Sequence, residues 1–378
     1  MSDYILYHII ALLPIILYIF KVNDKLKKIL TNIVVIIIGV FLCFGYMTGS
    51  DWMVYEAVYE DNSLHIFFEP GYVLLMNIAY FFKLDFFTFL ILTKLFCYYV
   101  IVKIIKKHTG DQFLIAFSFF ISMFGFYLLI DNPLRNLIAI VVFLLSIVFF
   151  EKKKFFYFFL CGALAVSFHK SALLIFLVMP LLNLSLKRYS RILLIVSIVL
   201  LVLGVSGLFI SIFTLVSESI PFFNKFSDSY LSEENEYIIR SSLNMKSILF
   251  LLFFTFVIVV KKNKFKEDSD LLYKLFLMYA VLFIITIFVP IFERFTFYFF
   301  PFFVIIFIKS SKHLKPSNVL NFFAILILTI VFNTHTLIMN KVVYLPYSNY
   351  LNYIFENKPS YQYRINYNQK NSPANQKD

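Results

Sequence analysis

EPGYVLLMNIAYFFK, residues Glu69–Lys83, is apolar enough to cross a bilayer and short enough to lie in its outer interface as an amphipathic or re-entrant helix. The choice sets the side on which nearly every later segment sits, and charge discriminates between the two. If the segment does not cross, loops 21–28, 103–112, 151–154, 187–191, 261–268 and 309–316 face the cytoplasm and carry twenty Lys and Arg. The outside loops then carry seven: Lys83, Arg135, Lys170, Lys225, Arg240, Lys246 and Arg294. Asp and Glu run the other way, thirteen outside and six inside. Crossing would place KKNKFK (261–266) outside, against the positive-inside bias of membrane proteins. The segment is therefore expected not to cross, which turns both termini outward.

Working outward from it, the rest of the chain reads as membrane. Of 378 residues, 61% are hydrophobic and only 15% charged, against roughly 45–50% apolar in a soluble domain. That excess excludes a soluble globular enzyme. The net charge of +12 would suggest nucleic acid in a soluble protein, but these cations fall in short clusters between apolar runs, where they set topology; no nucleic-acid partner is expected. Apolar runs bounded by charge place spans at Tyr4–Phe20 and near 29–47, 86–102, 113–130, 136–150, 155–168, 171–186, 192–216, 247–260, 270–288, 295–308 and 317–335. The first lacks the leading positive region and small-residue cleavage site of a signal peptide, so it counts as a helix of the membrane domain. The expected fold is an all-α polytopic integral membrane protein with about twelve transmembrane helices and one interfacial or re-entrant helix. Residues 1–335 form a single membrane domain with outside loops at 48–85 and 217–246. Residues 336–378 form a polar, Tyr-, Asn- and Lys-rich tail, expected to be extended and then disordered, with no assigned chemistry. Cys43, Cys97 and Cys161 are isolated in apolar runs and give no disulfide or zinc framework.

The outside face collects residues that membrane insertion does not require. The first outside loop, GSDWMVYEAVYEDNSLHIFFEPGY (49–72), interleaves Asp51, Glu56, Glu60, Asp61, His65 and Glu69 with Trp52, Tyr55, Tyr59 and Tyr72. Carboxylates beside aromatic faces suit a sugar, the acids accepting hydroxyl hydrogen bonds while a ring covers the apolar sugar face; an acidic, solvated loop with an interfacial aromatic belt has the same composition. Arg135 follows DNPL at the start of an apolar helix, His169 sits in VSFHKSALL and Arg294 in PIFERFTFYF, each at an outer junction. Singly, such residues snorkel to headgroups or serve structure. Together they could clamp a pyrophosphate, because guanidinium grips phosphate oxygens as a fork and helix N-termini favour anions.

Nucleotide-hydrolysing, dinucleotide-binding, zinc-protease and α/β-hydrolase signatures are missing. A reaction on the outer face would then draw its energy from within the substrate, as an activated lipid phosphate allows. No cofactor and no metal are expected, since the outside loops show no ligand spacing for one.

The stretches GSDWMVYE (49–56), FEPGYVLLMNIAYFF (68–82), NPLRNLIAIVVFL (132–144), SFHKSALLIFLVMPLL (167–182) and ERFTFYFFPFF (293–303) resemble the EpsG/Wzy-type polysaccharide polymerases of bacterial surface-polysaccharide assembly, in that family's order over about two-thirds of the chain. The resemblance implies a GT-C-like, inverting membrane glycosyltransferase related in architecture to O-antigen ligase. It would join undecaprenyl-diphosphate-linked oligosaccharide donor and acceptor on the outer or periplasmic face of the cytoplasmic membrane, among membrane lipid, with a chain-length regulator as a candidate partner. Carried onto this chain, Arg135 and Arg294 would bind the departing diphosphate, and His169 would complete that site or move a proton. Asp51 and Glu69 would be candidates for activating the acceptor hydroxyl, and Trp52, Tyr55 and Tyr72 for holding sugar. Glu69 could instead be a helix-start residue. A lipid-linked oligosaccharide flippase is the main rival; it would show paired mid-membrane charges and two related halves, whereas only Lys94 and Lys274 lie inside apolar runs. A membrane O-acyltransferase would want a second catalytic-looking His, and His65 and His335 carry no matching motif.

Overall fold

A computed structural model describes residues 2–20, 22–131, 133–208, 211, 215, 251, 254, 270–289, 292–311, 318–339, 341–355 and 358–368. The expected outside loop 217–246 and loop 261–268 lie outside the described residues, as does most of the span near 247–260. Among the described residues the structure is helical, with one isolated antiparallel bridge, Gly45 to Asn349, and no strand. Five helical stretches are long and apolar enough to cross a membrane: Asp24–Cys43, Phe86–Gly125, Leu134–Glu151, Leu186–Val205 and Asp270–Phe288. The chain is an all-α membrane protein. The stretch Phe86–Gly125 is 40 residues long, about 60 Å at 1.5 Å per residue, twice a ~30 Å hydrocarbon core. Gly110 divides it with a φ of 54°, a conformation that costs glycine little, and the helices on either side pack together.

The chain forms two compact units, Met1–Leu173 with Leu314–Asp378, and Leu174–His313. The first holds helices α1 (Ser2–Ile19), α2 (Asp24–Cys43), α3 (Trp52–Glu60), α4 (Pro70–Phe81), α5 (Phe86–Thr109), α6 (Phe113–Phe120), α7 (Leu134–Glu151) and α8 (Phe155–Phe168). After α6 the chain continues in two π-helical turns, Ile121–Gly125 and Tyr127–Asp131. In this unit α7 and α8 form a hairpin through Lys152–Lys154, and α1 packs on α6 and on the helix Asn318–Met339. The second unit pairs α10 (Leu186–Val205) with Asp270–Phe288, where Tyr189 donates to the Lys274 carbonyl and the Lys274 ammonium donates to the Leu182 carbonyl.

Hydrogen bonds collect many helix ends of the first unit at one end of its bundle. Tyr347 N donates to Asp3 and Tyr7 Oη to the Tyr344 carbonyl, Tyr46 N to Ser348 O, Tyr350 N to Phe44 O and Gly49 N to Val343 O. The described part of the tail beyond His335 is not simply extended: it continues the preceding helix to Met339 and includes the helices Lys341–Tyr344 and Tyr361–Asn368, while 369–378 lie outside the described residues. Several of its tyrosines pack, whereas Tyr361 and Tyr363 are exposed. Tyr347 stacks on Phe41 at 4.3 Å and Tyr350 on Phe87 at 5.8 Å.

Helix α4 begins and finishes at this same end. Its first residues lie against α8. Beyond its last turn, Leu84 O accepts the Tyr59 hydroxyl of α3, and Asp85 meets Lys358 of the tail. Its twelve residues span about 18 Å.

Candidate functional site

The α7–α8 hairpin returns the chain to its starting end, so Arg135, in the first turn of α7, and His169, just past α8, come together although 34 residues apart. Glu69 joins them from the start of α4. FEPGY accounts for its placement. Glu69 occupies the N-cap position with extended backbone, Pro70 supplies the fixed φ that suits a first helical residue, and Gly71 lets the turn approach α8. A Cβ at Gly71 would collide with the Ser167 hydroxyl and sit 2.8 Å from its carbonyl oxygen.

Arg135 Nη1 donates to Glu69 Oε2 at 2.6 Å, and His169 Nδ1 lies 3.5 Å from Glu69 Oε1. The carboxylate is 8% exposed, while the guanidinium keeps 27% and the imidazole 17% of their surface. The guanidinium lies over the Phe68 ring, 4.2 Å from its centroid, a cation–π arrangement, and Arg135 N faces the Tyr55 hydroxyl at 3.5 Å. Burial pushes the Glu69 carboxyl up, but His169 and Arg135 outweigh that and hold it at about 2. Among the described residues, Arg135 Nε and Tyr72 Oη are shielded and have no hydrogen-bond partner. Buried polar groups normally find partners, so this cluster has unused hydrogen-bonding capacity and presents a guanidinium and an imidazole to an anion.

Asp51 stands at the start of α3 and accepts the Ser50 hydroxyl at 3.1 Å. Ser50 also bonds Asp131 through its amide and hydroxyl, and Gly49, at a φ of 100°, packs directly on the Ile130 and Asp131 carbonyls. GSD thus pins the start of the 48–85 loop to the end of the helical stretch that runs into α7. Trp52, Tyr55 and Tyr72 are all buried. Trp52 packs on Phe87 and Tyr361, and Tyr55 and Tyr72 pack on Phe68 and each other. The ring faces expected to cover a sugar are taken up by protein. Arg294 is exposed on a one-turn helix, Glu293–Thr296, in the second unit. Sequence reasoning missed Phe68, whose ring carries the Arg135 guanidinium; an aromatic residue next to Glu69 in FEPGY was the available signal. Among the described residues no group of three or more His, Cys, Asp or Glu could hold a metal.

The residues that meet at Glu69 come from three of the stretches quoted above, and the EpsG family model matches residues 28–355 of the chain. The chain belongs to the EpsG family. Membership suggests a polysaccharide polymerase-type role in the membrane. Comparisons with curated proteins and with solved structures gave no match.

Proposed function

We propose that this EpsG-family chain is an inverting glycosyltransferase that polymerises undecaprenyl-diphosphate-linked oligosaccharide repeat units on the outer face of the bacterial cytoplasmic membrane, in a GT-C-like domain of about twelve spans. The observation that carries this reading is the convergence of Arg135 and His169 on one buried carboxylate, with further unsatisfied polar atoms around them. In the reaction an acceptor hydroxyl attacks the anomeric carbon of the donor sugar. The bond from that carbon to the diphosphate oxygen breaks with its electron pair, and the hydroxyl proton passes to a base. Charge develops on the leaving diphosphate, and preorganised cations stabilise that transition state. Arg135, stacked on Phe68 and oriented by Glu69, meets the oxygens with the part of its fork that Glu69 leaves open. His169 adds a second donor, and Arg294, in the second unit, is kept as a separate diphosphate-binding candidate.

A carboxyl held at about 2 has too little proton affinity to serve as a general base near neutral pH. Glu69 is therefore assigned as a positioning residue, and Asp51 as the base. Trp52, Tyr55 and Tyr72 form the wall behind the site. A deletion strain tests the whole reading. Loss of the polysaccharide ladder with a single repeat unit retained on the surface is the expected glycan profile; accumulation of inward-facing lipid-linked units would identify a flippase instead.

A further inference from the structure

We propose that a cavity of about 310 Å³ between α3, the turn Asn62–Phe67 and α4 is a carbohydrate subsite that takes a neutral, hydroxyl-rich sugar of the glycan substrate. Tyr59, Asn62, His65, Asn77, Tyr80 and Phe81 line it. The volume falls at the low end of the roughly 300–1,000 Å³ typical of small-molecule sites. Two carboxamides, the Tyr80 phenol and an imidazole can both donate and accept, and the Tyr59 hydroxyl, which donates to Leu84 O, can still accept, which matches sugar hydroxyls. No Lys, Arg, Asp or Glu lines the cavity, so nothing there favours a phosphate. His65 lines the cavity, and among the described residues its Nε2 has no hydrogen-bond partner.

The aromatic component is present as well. Asn77, Tyr80 and Phe81 stand at i, i+3 and i+4 on α4 and so share one face. Tyr80 is 66% and Phe81 80% exposed, which leaves their rings free to cover an apolar sugar face. This is the service that the buried Trp52, Tyr55 and Tyr72 do not offer. The cavity also connects to the cluster at Glu69 through one short piece of chain: Phe68 N bonds the His65 carbonyl, and the Phe68 ring carries Arg135. A sugar held at His65 would lie on the same glycan whose reacting end is at Arg135. The inference rests on the glycan-polymerase reading and adds to it a place that holds the chain away from the bond being made.

The test uses full-length protein in nanodiscs and, as probe, short oligosaccharides from partial hydrolysis of the host's own surface polysaccharide, read by saturation-transfer NMR. Wild type should bind them. Asn77→Ala and Tyr80→Ala change exposed side chains, so folding is spared, and each should weaken binding about threefold to tenfold, the scale of one or two neutral hydrogen bonds. Expressed in the deletion strain, both should shorten the polymer. Arg135→Ala should still bind the fragments while making no polymer. Failure of wild type to bind, or unchanged binding in both cavity variants, would overturn the subsite. Displacement of the probe by phosphatidylglycerol vesicles from wild type but not from Asn77→Ala would assign the cavity to a lipid headgroup and equally overturn it. If the cavity variants lose binding while the deletion strain accumulates inward-facing lipid-linked units, the subsite stands and the polymerase reading falls.

Discussion

At the scale of single residues, the balance at Glu69 governs what the site can do. Its desolvation is opposed by two partners, and the partners win. An arginine in this setting offers a planar fork braced on a ring, which an ammonium cannot copy. Arg135→Ala should therefore lower polymer formation by about 10²-fold or more, the scale for losing one preorganised group that stabilises developing charge, at unchanged protein level; Arg135→Lys should recover only part. A Lys variant as active as wild type, measured by ladder formation, would reduce Arg135 to a snorkelling cation. The depressed Glu69 carboxyl also sets a pH signature. A carboxyl whose folded pKa lies below its unfolded value of about 4.3 stabilises the fold fully above that value, and loses its contribution as pH falls through the folded pKa. The difference in unfolding midpoint between wild type and Glu69→Gln should stay constant from pH 7 to about 5 and shrink only between about 4.3 and 2. Collapse of that difference nearer neutrality would mean that Glu69 is not held by charge.

At the scale of elements, α4 shows what a sequence discloses and what it hides. FEPGY is legible as a helix start because Glu, Pro and Gly have fixed uses there, and α4 begins at Pro70. The charge pattern anticipates a segment that stays on one side, and the contacts of Glu69 and Leu84 bring both of its ends to one end of the bundle. Which face of α4 packs was not legible: nearly every position is apolar or aromatic, so periodicity cannot separate Tyr72, buried against Phe68, from Tyr80, which is open. The apolar runs locate some helices closely, α7 and α8 falling within two residues of the ranges expected near 136–150 and 155–168, and others loosely, as with Leu186–Val205 against 192–216. Their hairpin pairing, which puts Arg135 beside His169, is a tertiary fact that no local pattern carries. The close approach at Gly71 gives a direct test of the element's seat. Gly71→Ala should destabilise the protein by roughly 1–3 kcal/mol through overpacking, read as a lower unfolding midpoint in detergent. Adding Ser167→Gly should restore only part of it, because the Ser167 carbonyl obstructs a Cβ as well as the hydroxyl does.

At the scale of the molecule, the C-terminal segment closes one end of the first unit, a role hidden in its composition because Tyr, Asn and Lys are as common in solvated tails as in packed ones. Two ion pairs tie it down, and their exposure separates their weight. Lys358 and Asp85 are 39% and 45% exposed, a pair worth at most about 1 kcal/mol. Arg364 and Glu56 meet at 2.6 Å with 10% and 4% of their surface exposed, and the guanidinium lies near the rings of Trp52, Phe87 and Tyr361. Removing one member of such a pair strands the other charge in a desolvated place, at about 3–5 kcal/mol. Arg364→Ala should therefore lower the unfolding midpoint of the purified full-length protein far more than Lys358→Ala does. It should also abolish polymer, because α3 then loses the brace that holds Asp51 and Tyr55 beside the site. Replacing both members, Glu56→Gln with Arg364→Met, removes the stranded charge and should regain much of the stability. Equal, small shifts for Arg364→Ala and Lys358→Ala would show that the tail is held by its tyrosines rather than by the buried pair. An Arg364→Ala protein that is unstable yet fully active in cells would separate the tail from the chemistry.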